Sequence, residues 1–98
     1  MKYTFINRPS VKLDIIEAVG YYKKINTALA HQFLFRIREA KIYIGKNPLV
    51  FEIKYKNVRK LLLKQFPYHI HYIVDIDKSQ IIILAIIHAY RNPKDYTL

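Results

Sequence analysis

The chain has no cysteine and no tryptophan, only two glycines, and few acidic residues to set against its bases. Without cysteine there is no disulfide framework and no thiolate zinc site. Two glycines, Gly20 and Gly45, cannot build a glycine-rich loop around phosphates, which argues against nucleotide binding by that device. Long apolar runs are missing too. Ile81 to Ile87 is the longest, far short of the roughly 20 residues a membrane-spanning helix needs. No apolar segment follows the basic residues near Met1, so no secretory signal is read. No Ser-His-Asp ordering and no paired carboxylates can be assembled. These absences lead to the expectation of a soluble cytoplasmic protein with no membrane association.

What is present is compact and strongly basic. At 98 residues, a single domain spanning 1–98 is expected, because halves would be too small to bury cores of their own. A hydrophobic fraction of 52% is enough for a real core. Seventeen Lys and Arg against seven Asp and Glu give a formal net charge of +10. Such a field attracts nucleic acid, acidic proteins or anionic membranes and speeds association with them, without choosing among them.

Apolar periodicity predicts the elements. Lys2 to Ile6 alternates as a short strand, and Arg8-Pro9-Ser10 breaks it, with Ser10 a plausible helix N-cap. Val11, Ile15, Ala18, Val19 and Tyr22 then recur at helical spacing, interrupted by Gly20. Ile25-Asn26-Thr27 is a short link, with Thr27 a candidate cap for a second helix whose stripe is Phe33, Ile37, Ala40 and Ile44. Gly45 and Asn47-Pro48 stop it. So short a link implies an antiparallel helical hairpin. Beyond Pro48 the character is β. Phe51, Ile53 and Tyr55 alternate with charges as a half-buried strand, and Arg59 to Gln65 makes another. After a bend at Phe66-Pro67 comes Tyr68 to Val74, then a turn at Asp75–Ser79. The run Gln80 to Ile87 suggests a central strand buried on both faces. The fold class is α+β: an N-terminal strand, an antiparallel helical hairpin, then a three- to four-stranded antiparallel sheet with one face partly open.

Several residues can carry chemistry or binding. Lys54, Lys56, Lys60 and Lys64, with Arg59, form a cationic group on two adjacent strands, suited to phosphates. The same lysines on a solvated face would serve solubility and discourage edge pairing. His69 and His71 point to one face. They lack the further ligands a metal site needs, so no metal and no cofactor is expected. As imidazoles they could take part in phosphodiester acid–base chemistry, or simply be half-exposed strand residues. His88, Tyr90, Arg91 and Tyr96 gather where the last strand leaves the core. Asp14, Glu17 and Glu39 read as solubilising helix residues. A generic basic nucleic-acid-binding module, stacking bases on Tyr55, Tyr68 and Tyr72, is a further alternative.

Four phrases resemble the RelE/ParE superfamily of type II toxins. They are Val11–Glu17 with Tyr21-Tyr22, Ala30–Leu34, Val58–Leu63 running to Phe66-Pro67-Tyr68, and Ile87-His88-Ala89-Tyr90-Arg91-Asn92-Pro93. The resemblance implies a plasmid-stabilisation-type toxin that inhibits growth and is neutralised by an acidic antitoxin encoded alongside. Phe35 and Tyr43 on the hairpin's outer face are its candidate antitoxin contacts. RelE-like members cut ribosome-bound mRNA without metal. In that event Arg59 and Arg91 would stabilise phosphate, His88 or Tyr96 would carry protons, and the lysines would grip the RNA backbone. ParE-like members poison DNA gyrase. The chain offers His69 and His71 in the strand where the nucleases place a key Arg, and its phrasing is more similar to ParE. Gyrase is therefore the first expectation and mRNA the alternative.

Overall fold

The computed structural model describes residues 2–90. Its elements are β1 (Thr4–Asn7), α1 (Pro9–Ile25), α2 (Thr27–Lys46), β2 (Ile53–Tyr55), β3 (Val58–Leu62), β4 (Tyr68–Asp75) and β5 (Gln80–His88). This is the α+β order read from the sequence. They build one five-stranded sheet in the order β1-β5-β4-β3-β2. The meander from β2 to β5 is antiparallel, whereas β1 joins the other edge of β5 in parallel. The sheet is thus mixed. The pairing joins Thr4 to Gln80, and no local turn fixes the direction of strands so far apart in sequence.

Both helices begin and end for identifiable reasons. Arg8 is extended, as a residue before proline must be, and Pro9 opens α1 where its missing N–H costs nothing. Ser10 therefore lies inside the first turn rather than capping it; its hydroxyl faces the Leu84 carbonyl at 3.5 Å. Asn26, not Thr27, divides the helices. Its backbone N–H donates to Tyr22 O at 2.9 Å, closing α1, and its Oδ1 accepts the Ala28 N–H at 2.8 Å, opening α2. The helix continues through Gly20, and α2 runs to Lys46 with Asn47 as its C-cap.

The expected helical stripes form the core. Val11, Ala18 and Tyr22 are buried from α1, and Ala30, Phe33, Ile37, Ala40 and Ile44 from α2. They meet Ile70, Tyr72, Ile81, Ile83 and Ile86 of the sheet. Phe33 stands at 5.2 Å from Phe66 and 5.1 Å from Tyr68, both edge-on, an arrangement that adds to their area burial.

β5 is an interior strand, but it is not buried evenly on both faces. Ile81, Ile83 and Ile86 are buried while their neighbours are only partly covered. The register explains the unbroken apolar run. His71 opposes Ala85 and Tyr72 opposes Ile83, so Leu84 is an extra residue that inverts the inward phase. The first turns of α1 support this bulge. Arg8 N donates to Ile83 O at 3.0 Å, and Asp14 Oδ2 accepts the Ile86 N–H at 3.0 Å. Asp14 thus has a structural task that its helical position did not suggest. β2 is shorter and more exposed than expected: Ile53 and Tyr55 both face solvent.

Candidate functional site

Sheet registry assigns the candidate residues to faces, because directly opposed residues project the same way. Lys60 opposes His71 and Leu62 opposes His69, on the face away from the helices. The two imidazoles stand edge to face at 6.2 Å, and the Tyr55 ring lies 6.5 Å from His71. Burial, then Lys60 and His69, push the His71 pKa down to about 4. Burial, then Lys60 and Lys54, lower that of His69 as well. At neutral pH the open face therefore offers neutral imidazoles beside ammonium groups, an arrangement that an incoming anion would relieve. His71 is nonetheless only 4% exposed.

Lys54 belongs to this face, since its charge is one of those that lower the His69 pKa, whereas the other candidates lie elsewhere. Lys54 is ion-paired to Glu52 at 3.0 Å, and Lys56 occupies the β2–β3 turn with φ of 49°. Lys64 leaves the sheet for α2, where its Nζ donates to the Tyr43 hydroxyl at 3.4 Å and sits 5.3 Å from the ring centre. It does not share a face with Lys60. Arg59 opposes Tyr72 on the helix-facing side, and its Nη1 donates to Leu49 O at 3.0 Å and Phe51 O at 2.6 Å. The guanidinium is thereby committed to the loop between α2 and β2. His88 opposes Tyr68, also on the helix-facing side, with rings 5.2 Å apart. Its Nδ1 accepts the Tyr90 N–H at 3.2 Å. Arg91 and Tyr96 lie outside the described residues.

The set named for phosphodiester chemistry is thus divided between two faces of the sheet. His69, His71, Lys54 and Lys60 come together; Arg59 and His88 do not join them. Of the three tyrosines considered for base stacking, Tyr72 is fully buried and Tyr68 packs on Phe33; Tyr55 alone keeps an exposed ring near the open face. Among the described residues no cluster of three or more His, Cys, Asp or Glu could hold a metal ion, and no helix is long and apolar enough to cross a membrane.

The helical hairpin presents the second candidate surface. Phe35 is 54% exposed, with the Arg36 guanidinium 5.5 Å from its ring centre, and Tyr43 is exposed on the same helix. Sequence reasoning missed Leu13, Ile16 and Ile42, all exposed. They were legible as apolar residues left over once the inward stripes are assigned. Between α2 and the β3–β4 loop, Arg36 Nε donates to Gln65 Oε1 at 3.1 Å and Gln65 bonds to Gln32. Gln65 itself has φ of 75°, a left-handed conformation that costs a non-glycine residue about 1 kcal/mol and is held by these contacts.

No protein-family model matches the chain, and no curated protein sequence matches it significantly. Solved structures do. A chain of the chromosomal ParDE toxin–antitoxin system from P. aeruginosa superposes with a TM-score of 0.76 at 18% identity, over 89% of this chain and 96% of that one. A chain of the toxin–antitoxin complex RelBE2 from Mycobacterium tuberculosis gives 0.59 at 15% identity, over 90% and 99%. The isolated E. coli RelE toxin gives 0.59 at 12% identity, over 95% and 90%. The chain has the fold of the RelE/ParE toxins.

Proposed function

We propose that the chain is the toxin of a type II toxin–antitoxin pair, of the ParE kind, and that it arrests growth in the cytoplasm by acting on DNA gyrase. The observation that carries this reading is the difference in structural likeness, 0.76 to the ParDE chain against 0.59 to RelE. The dispersal of the nuclease candidates points the same way. Arg59 is spent on loop carbonyls, and His88 faces away from the imidazole pair. On this reading the basic residues are contacts and none is catalytic.

An acidic antitoxin is the natural partner of a +10 domain, and electrostatic steering brings the two together quickly. Phe35, Ile42 and Tyr43, with Leu13 and Ile16 on the neighbouring helix, give it apolar anchors. Arg38 and Lys46 stand exposed among the α2 anchors and Lys12 beside those of α1, placed for its carboxylates.

One observation favours a second reading, the metal-independent mRNA endonuclease. His69 stands beside His71 and Lys60, and its lowered pKa keeps its imidazole neutral near pH 7, the form a general base requires. Inducing the chain in a bacterium separates the two. Gyrase-trapped DNA breaks with an intact reporter mRNA support the poison. Codon-linked cuts found by primer extension, and lost in His69→Ala/His71→Ala, support the nuclease. Normal growth after induction would remove both.

A further inference from the structure

The turn between α2 and β2 is held from the sheet by side chains that leave its tip exposed. Asn47 to Val50 closes with Val50 N donating to Asn47 O at 3.2 Å, and the proline at its second position is buried. Two side chains from the sheet then hold its backbone. The Tyr72 hydroxyl donates to Pro48 O at 2.8 Å, and Arg59 donates to Leu49 O and Phe51 O. The carbonyls of Pro48, Leu49 and Phe51 are thus fixed from the sheet, the first of them by a buried side chain. Yet the two side chains at the tip turn outward. Leu49 is 47% exposed and Val50 72%.

A loop so firmly held, carrying two aliphatic side chains into water, has paid its ordering entropy before any partner arrives. Apart from Glu52, which is ion-paired to Lys54, its neighbours in the chain are cationic or neutral. The shallow groove beside the tip is lined by Tyr3, Lys46, Asn47 and Pro48 together with Leu49 and Val50, and contains no acid.

We infer that the Pro48–Phe51 turn is the anchor through which the chain engages its target protein, Leu49 and Val50 entering an apolar recess on a folded partner whose rim supplies a carboxylate to Lys46. Shape separates this occupant from the antitoxin. A rigid convex tip suits a preformed recess, whereas an unfolded acidic segment gains most along the extended hairpin surface. Charge separates it from a second copy, since two +10 chains repel. The inference rests on the gyrase reading and names the part of the chain that makes that contact.

The test titrates purified full-length chain against purified gyrase and measures the half-inhibitory concentration for supercoiling. Leu49→Ser/Val50→Ser should raise it about tenfold or more, as for removal of a central interface anchor. Lys46→Glu should raise it several-fold and flatten its dependence on salt. Ile76→Ser, which removes an exposed apolar residue from the β4–β5 turn, should leave it unchanged. Melting temperatures report folding, and Val50→Ser alone carries the test should the double variant melt early. Wild-type potency in the folded tip variants overturns the inference alone. A wild-type chain inert toward gyrase overturns it together with the gyrase reading. A concentration-dependent dimer that the tip variants dissolve would assign the turn to self-association instead.

Discussion

Tyr72→Phe isolates one atom of the framework described above. The ring is completely buried, so phenylalanine fills the same space and only the hydroxyl is lost. That hydroxyl donates to Pro48 O at 2.8 Å, and Pro48 is itself buried. Losing the bond forfeits about 1 kcal/mol net, and leaving a carbonyl short of a partner adds a penalty of about 1 kcal/mol. A loss of about 2 kcal/mol follows. For a domain near this size, each kcal/mol moves Tm by roughly 4–8 °C, so a fall of roughly 8–16 °C is expected. Urea unfolding measures the free energy directly, and an unchanged slope would confirm that the two forms unfold alike. There is also a signature in pH. Burial raises the Tyr72 pKa from 10.0 to about 12. A raised folded-state value means that stability is fully present below pH 10 and is lost as pH climbs towards 12. Tyr72→Phe should therefore flatten the alkaline limb of the wild-type stability curve. A variant within about 0.3 kcal/mol of wild type, with the same alkaline limb, would refute the reasoning, since substitutions away from such features fall within about 0.5 kcal/mol.

Other outcomes follow from the same structure. Asp14→Ala removes the acceptor for the Ile86 N–H at the β5 bulge and should cost about 1.5–3 kcal/mol in urea unfolding, being a charged bond in a half-buried place. His71 is held neutral, its pKa lowered to about 4 by burial, Lys60 and His69. Its depressed value contributes stability present above pH 6.5 and lost as pH falls to 4, so the acid limb of the stability curve should flatten in His71→Gln. Gly20→Ala should stabilise by about 1 kcal/mol in thermal melts, because a Cβ there meets nothing within 4 Å and the helix runs straight through. Phe35→Ser should weaken capture of the chain by an acidic antitoxin at least tenfold while leaving its melting temperature in place, the ring being exposed already.

Much of the fold was legible in the residues. The stripes Val11–Ala18–Tyr22 and Phe33–Ile37–Ala40–Ile44 are spaced for burial on one side of a helix, and they are buried. What local pattern cannot express was hidden. β1 pairs with β5 across most of the chain, and no local turn announces its parallel direction. The bulge at Leu84 lets both phases of a strand be apolar, so Ile81 to Ile87 imitates a strand buried on both faces. Asn26 and Thr27 are both good caps, and backbone geometry chose the first. At the candidate site, period two correctly placed His69 beside His71 and failed for Lys60 and Lys64. The chain leaves the strand after Leu62, and Lys64 turns to Tyr43. Arg59 and Lys60 are neighbours in sequence and face opposite ways. That is why one basic phrase became a loop strut on one side and part of a cationic face on the other.

The most direct test of the account uses three components: relaxed plasmid, purified gyrase and the purified chain. A gyrase poison of this kind stops supercoiling and traps broken DNA, and an acidic antitoxin added first prevents both. Full supercoiling in the presence of excess chain, from a preparation that cuts mRNA in a translating extract, would contradict it.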